Sequence, residues 1–108
     1  MVAGCVTVEL GAALGLPSLA AALSNASRCI VTDYDTAGSR AMALTVAWNR
    51  QAQAATQLDR VEWHRMDWYE ALRQEEAGAG VDGWLHGLRQ VADVVICADV
   101  IYQTKAVP

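Results

Sequence analysis

The sequence predicts an α/β protein, a parallel four-stranded sheet with helices on both faces, and three observations lead there. Short apolar or β-branched runs at Val6–Leu10, Cys29–Thr32, Val61–Met66 and Asp93–Ala98 read as strands. Segments of helical spacing separate them, and such alternation favours parallel strands joined by helical crossovers. The strands also differ in pattern. The first and fourth are almost uniformly apolar and are expected at the centre, whereas the third alternates and is expected at an edge. Together these give a strand order of 3-2-1-4.

The elements follow in order along the chain. Gly11 closes the first strand, and Gly11–Gly15 forms a turn. Pro17 fits the first turn of a helix, where its missing N–H costs nothing, and that helix runs to about Ser24. After the second strand comes the loop Asp33–Asp35, with Thr36 as the expected N-cap of the next helix. Ala37, Ala41, Leu44 and Trp48 fall at helical spacing and predict an amphipathic helix to about Ala54, with Trp48 and Met42 in the core. In the third strand Val61 and Trp63 share one face, Glu62 and His64 the other. Short helices are expected over Trp68–Glu76 and around Trp84, Leu88 and Val91, with a loop at Ala77–Asp82 between them.

The 108 residues are enough for one domain, 1–108, with no internal repeat. Hydrophobic residues make up 54%, which argues against a disordered chain. The net charge is -4 and no Lys/Arg cluster occurs, so a nucleic-acid groove is not expected. The longest apolar stretch, Ala12–Leu23, contains Gly15, Pro17 and Ser18 and is too short to span a bilayer. Cys5, Cys29 and Cys97 are odd in number and lack metal-ligand spacing, so they read as buried reduced thiols of an intracellular protein, cytoplasmic by default with a nuclear one as the alternative. His64 and His86 have no ligand-spaced partner, and the scattered Arg28, Arg40, Arg50, Arg60 and Arg65 read as solvated charges.

Four stations near strand ends carry the chemistry. Glu9-Leu10-Gly11-Ala12-Ala13-Leu14-Gly15 puts a carboxylate before a turn whose glycines let a ligand approach the backbone. An acid there suits a cationic group and serves phosphate poorly. No Gly-Lys-Ser/Thr follows, and Ala13 stands where a G-x-G-x-x-G fingerprint needs its second glycine. Asp33, in Thr32-Asp33-Tyr34-Asp35, sits where a carboxylate can accept from two ribose hydroxyls, a feature shared by NAD enzymes. Asp67-Trp68 offers an acceptor for an amino group and an indole to pack on a base. Asp99 and Tyr102, in Ala98-Asp99-Val100-Ile101-Tyr102, place an acid and an aromatic past the fourth strand.

In this order the four stations resemble the seven-stranded, Rossmann-like S-adenosylmethionine-dependent methyltransferases. VELGAALGLPSLAAAL, IVTDYD, MDW and ADVIY resemble in particular the lysine methyltransferase group (family 16, nicotinamide-N-methyltransferase-like), over nearly the whole chain. The resemblance implies S-adenosyl-L-methionine as cofactor. Glu9 and the backbone of Gly11, Ala13 and Gly15 would hold its methionine end. Asp33 would bind the ribose, Asp67 and Trp68 would border the adenine, and Ala98 would touch the cofactor through its backbone. Asp99 and Tyr102 would be the catalytic pair facing a substrate amine, and Asn49 would be structural. The implied reaction is methyl transfer to an amine, with a lysine-bearing protein as the expected partner and no metal, nucleic acid or membrane.

Ala13 departs from the superfamily's usual glycine, and the superfamily continues with strands five to seven, so a fragment truncated before them is expected. Two other readings compete. One is an NAD-binding oxidoreductase domain, against which Glu9, the unmet fingerprint and Asp67-Trp68 argue. The other is a truncated, non-catalytic Rossmann-like interaction module.

Overall fold

The computed structural model describes residues 1–53, 56–78 and 83–98, and the side chains of all of these except residues 53 and 83–86. Strands β1 (Val6–Leu10), β2 (Arg28–Asp33), β3 (Val61–Arg65) and β4 (Val94–Cys97) form one parallel sheet in the order β3-β2-β1-β4. Helices α1 (Leu16–Leu23), α2 (Ala37–Gln53), α3 (Trp68–Glu76) and α4 (Gly83–Val91) connect them, with a 3-10 turn at Thr56–Arg60. This is the Rossmann-like arrangement the alternating pattern predicts. β1 and β2 run in register from Val6 opposite Arg28 to Leu10 opposite Thr32, so their carboxyl ends finish together.

Each face of the sheet buries apolar side chains under helices. On one face Leu19, Ala21 and Ala22 of α1 pack with Cys29 and Leu58, and Met42 of α2 packs with Val31 and Ala12. On the other, Leu88 of α4 covers Val8 and Ile30. Full burial of a Val or Ile side chain contributes about 1.5–3 kcal/mol. Ile30 and Val31, on opposite sides of β2, are both fully buried.

The fourth strand departs from expectation. β4 pairs with β1 but stands at an edge of the described sheet, so β1 and β2 are its central strands. Every residue of β2 after Arg28 is buried, whereas Val95 and Cys97 of β4 are exposed. Polar Thr32 and Asp33 disguise β2's burial. Thr32 fits the interior because its hydroxyl donates to the Glu9 carbonyl at 2.7 Å, leaving no buried polar cost.

α2 also differs, by one residue of phase. Its inward residues are Gly38, Ala41, Met42, Thr45, Val46 and Asn49, while Leu44 and Trp48 are 68% and 71% exposed. Met42 is in the core as expected; Trp48 is not. The two large side chains suggested the wrong face because the close approach of the helix is made by a residue with no side chain, Gly38. The α2 amide at Ala37 is taken by the Asp35 carboxylate at 2.9 Å, not by the Thr36 hydroxyl. Asn49 donates to the Thr45 carbonyl at 2.8 Å, a structural role.

All three cysteines are free, but only Cys29 is buried, where burial pushes its thiol pKa up; Cys97 is exposed. β3 holds its alternation at the opposite edge. Val61 and Trp63 pack inward under α2, and Glu62 on the other face pairs with Arg28 and His64. No described helix is long and apolar enough to cross a membrane.

Candidate functional site

The carboxyl ends of β1, β2 and β4 and the start of α3 surround a cavity of about 1000 Å³, at the strand tips where the sheet order reverses between β1 and β4. Glu9, Gly11, Ala13, Gly15, Asp33, Asp67, Trp68 and Ala98 all line it. The eight residues singled out for cofactor contact, drawn from four separate stretches of sequence, therefore share one space. Asp99 and Tyr102 lie outside the described residues.

The floor of the cavity is the Gly11–Gly15 loop. Gly11 and Gly15 adopt positive φ (65° and 70°), and so does Ala13 at 49°, a conformation that strains an L side chain by roughly 1–2 kcal/mol. The positive φ is what calls for glycine at position 15; a Cβ there would also have to push aside the flexible methyl end of Met42. Ala13 is held by Asp33, whose Oδ2 accepts from the Ala13 amide at 2.8 Å. Asp33 Oδ1 accepts from the Asp35 amide at 2.9 Å. Asp33 is 7% exposed, so this acid braces two loops while still facing the cavity. Each of its oxygens keeps one lone-pair direction for a further donor.

Glu9 is 2% exposed, and its Oε2 accepts from both the amide and the hydroxyl of Ser18 in α1. Burial raises its pKa from the ordinary value, and the two Ser18 bonds oppose that rise. At the far end Asp67 caps α3, its Oδ1 accepting from Tyr69 N at 2.9 Å and Glu70 N at 3.2 Å. Met66, Trp68 and Tyr69 supply apolar wall beside it.

The charge of the lining is one-sided. Glu9, Asp33, Asp35 and Asp67 contribute carboxylates, and among the described residues lining it there is no Lys, Arg or His. Such a cavity suits a cationic, hydroxyl-bearing ligand and not a pyrophosphate. Residues 2–108 match the family model for lysine methyltransferases. The chain belongs to the lysine methyltransferase family. Membership makes S-adenosylmethionine the cofactor, and the lining suits it: acids for an ammonium and for ribose hydroxyls, an indole for a base. Among solved structures, the lysine methyltransferase chain resembles the Trypanosoma brucei PRMT1 enzyme–prozyme heterotetrameric complex with AdoHcy. The match has a TM-score of 0.51 and 24% identity over 67% of this chain and 20% of that one. The chain thus spans about a fifth of that structure's length, and the likeness is one of fold. No curated protein matches.

Several lining residues went unmarked in the sequence. Asp35 reads as part of a helix-capping loop, and it does start α2, but it also faces the cavity. Gly38 lies so close to the Ala13 carbonyl that a Cβ on it would collide with that oxygen, and neither residue signals the other along the chain. Behind the lining, Ser18 gives no hint of its bond to Glu9, nine residues earlier. Among the described residues no group of His, Cys, Asp and Glu is arranged to hold a metal ion.

Proposed function

We propose that this chain forms the cofactor-binding half of an enzyme that methylates an amine, a protein lysine side chain first among amines. The observation that carries the reading is the cavity lining, with four carboxylates and no cationic side chain among its described residues. Bound S-adenosylmethionine supplies a methyl group already activated on a sulfonium, which leaves as a neutral thioether.

The chain's own residues bind and orient. Glu9 would accept from the ammonium of the methionine end, Asp33 from the ribose hydroxyls, and Trp68 would pack beside the base with Asp67 at its edge. Gly11, Ala13, Gly15 and Ala98 let backbone come close. A lysine Nζ with a reference pKa near 10.4 must lose its proton before it can attack, which costs roughly 4.6 kcal/mol at pH 7. Asp99, which follows β4 in sequence, would orient the ammonium and help pass that proton to water, and Tyr102 would flank it by cation–π attraction. Tight positioning in a dry site supplies the rest of the acceleration.

Calorimetric titration with S-adenosylhomocysteine and with NAD tests the cofactor side. S-adenosylhomocysteine should bind and raise the melting temperature, and NAD should do neither; tighter binding of NAD would overturn the reading in favour of an oxidoreductase. The amine class is tested with labelled methyl donor and lysine peptides or nicotinamide. Label on lysine Nζ, lost in Asp99→Ala, is the expected result, and label on nicotinamide alone would refute the lysine target.

A further inference from the structure

The acid at the end of β1 is held from behind by one residue. Ser18 is fully buried, does not line the cavity, and stands in the first turn of α1. Helix α1 begins at Gly15 with no side-chain cap of its own, and Pro17 has no N–H to satisfy. The amide of Ser18 donates to Glu9 Oε2 at 3.0 Å, and its hydroxyl donates to the same oxygen. Among the described residues no donor reaches Glu9 Oε1. One oxygen is thus committed twice to the helix start, and the other has no partner while the residue faces the cavity.

We infer that Ser18 is a positioning residue that clamps one oxygen of Glu9 so that the other is presented to the ammonium of the cofactor's amino-acid end. The inference rests on the cofactor reading and adds to it a residue that never touches the ligand. Two donors on one oxygen fix the carboxylate's rotation, which a single bond would leave free. Removing the hydroxyl leaves the amide bond in place, so α1 keeps its cap while the acid gains rotational freedom. The consequence falls on the part of the ligand that Glu9 meets and on no other.

The test therefore compares two ligands. S-adenosylhomocysteine carries the amino-acid end; 5′-methylthioadenosine shares its adenosine and thioether and lacks that end. In calorimetric titrations of the whole chain, Ser18→Ala should weaken S-adenosylhomocysteine about tenfold and leave 5′-methylthioadenosine within about twofold, a free-energy change near 1.4 kcal/mol. Ser18→Cys, which keeps the volume with a weaker donor, should shift the ratio in the same direction and covers the case in which the alanine variant does not fold. In a Glu9→Gln background, Ser18→Ala should no longer change the ratio. Equal weakening of both ligands, or an unchanged ratio in both Ser18 variants, would overturn the role of Ser18 while leaving the cofactor reading intact. Failure of the unaltered chain to bind either ligand would sink both.

Discussion

The molecule treats its carboxylates in two ways, depending on which part of the sheet carries them. At the strand tips around the cavity, Glu9 and Asp33 are buried and held by backbone amides and a hydroxyl, with no cation beside them among the described residues. On the β2–β3 edge under α4, Glu62 is half-exposed and takes two bonds from Arg28, at 2.6 and 3.0 Å, with His64 at 3.1 Å. The two glutamates shift oppositely. Burial raises the Glu9 pKa, whereas Arg28 lowers that of Glu62. A fold built only for stability would pair its buried acids. Leaving them uncompensated reserves their charge for a ligand, a pattern that points to function.

Three substitutions sharpen or break this contrast. The largest effect is expected at Asp33, where Asp33→Ala strands the amides of Ala13 and Asp35. It should cost about 3 kcal/mol in denaturant unfolding and roughly a hundredfold in S-adenosylhomocysteine affinity by calorimetry, the value of two charge-assisted bonds. Affinity unchanged in the folded variant would remove Asp33 from the binding site. Next is Glu9→Gln, which separates stability from binding. An acid whose folded pKa is raised contributes stability below its ordinary value near 4.5 and loses it as pH rises through the folded value. The glutamine variant should therefore melt higher than the parent at pH 7, with the gain fading below about pH 4.5, while its affinity for S-adenosylhomocysteine falls about tenfold. A lower melting temperature at pH 7 would show that Glu9 is not an uncompensated charge. The smallest effect belongs to Glu62→Gln. A lowered acid contributes above its ordinary value and loses that contribution as pH falls. Because this pair is exposed and screened, about 0.5 kcal/mol at pH 7 is expected, vanishing in high salt and leaving ligand affinity untouched. A binding defect there would erase the distinction between the two regions.

The sequence makes some parts of this arrangement legible and hides others. Strand order and the convergence of three acidic or glycine-rich stations with Ala98 can be read because strand runs and turn residues are local signals. The face of α2 cannot, since Leu44 and Trp48 advertise a stripe that the structure leaves exposed, and the real contact is made by Gly38. The centrality of β2 is hidden because Thr32 and Asp33 look like surface residues until their bonds to the Glu9 carbonyl and the Ala13 amide are seen. Partnerships across sequence distance, such as Ser18 with Glu9 and Asp33 with Ala13, leave no periodic trace.

The close contact of Gly38 with the Ala13 carbonyl has a mechanical consequence. The start of α2 and the turn beneath the cavity touch backbone to backbone, with no side chain between them to bend or swing aside. A β-carbon at position 38 would wedge the two apart, so the spacing between helix and turn rests on one missing methyl group.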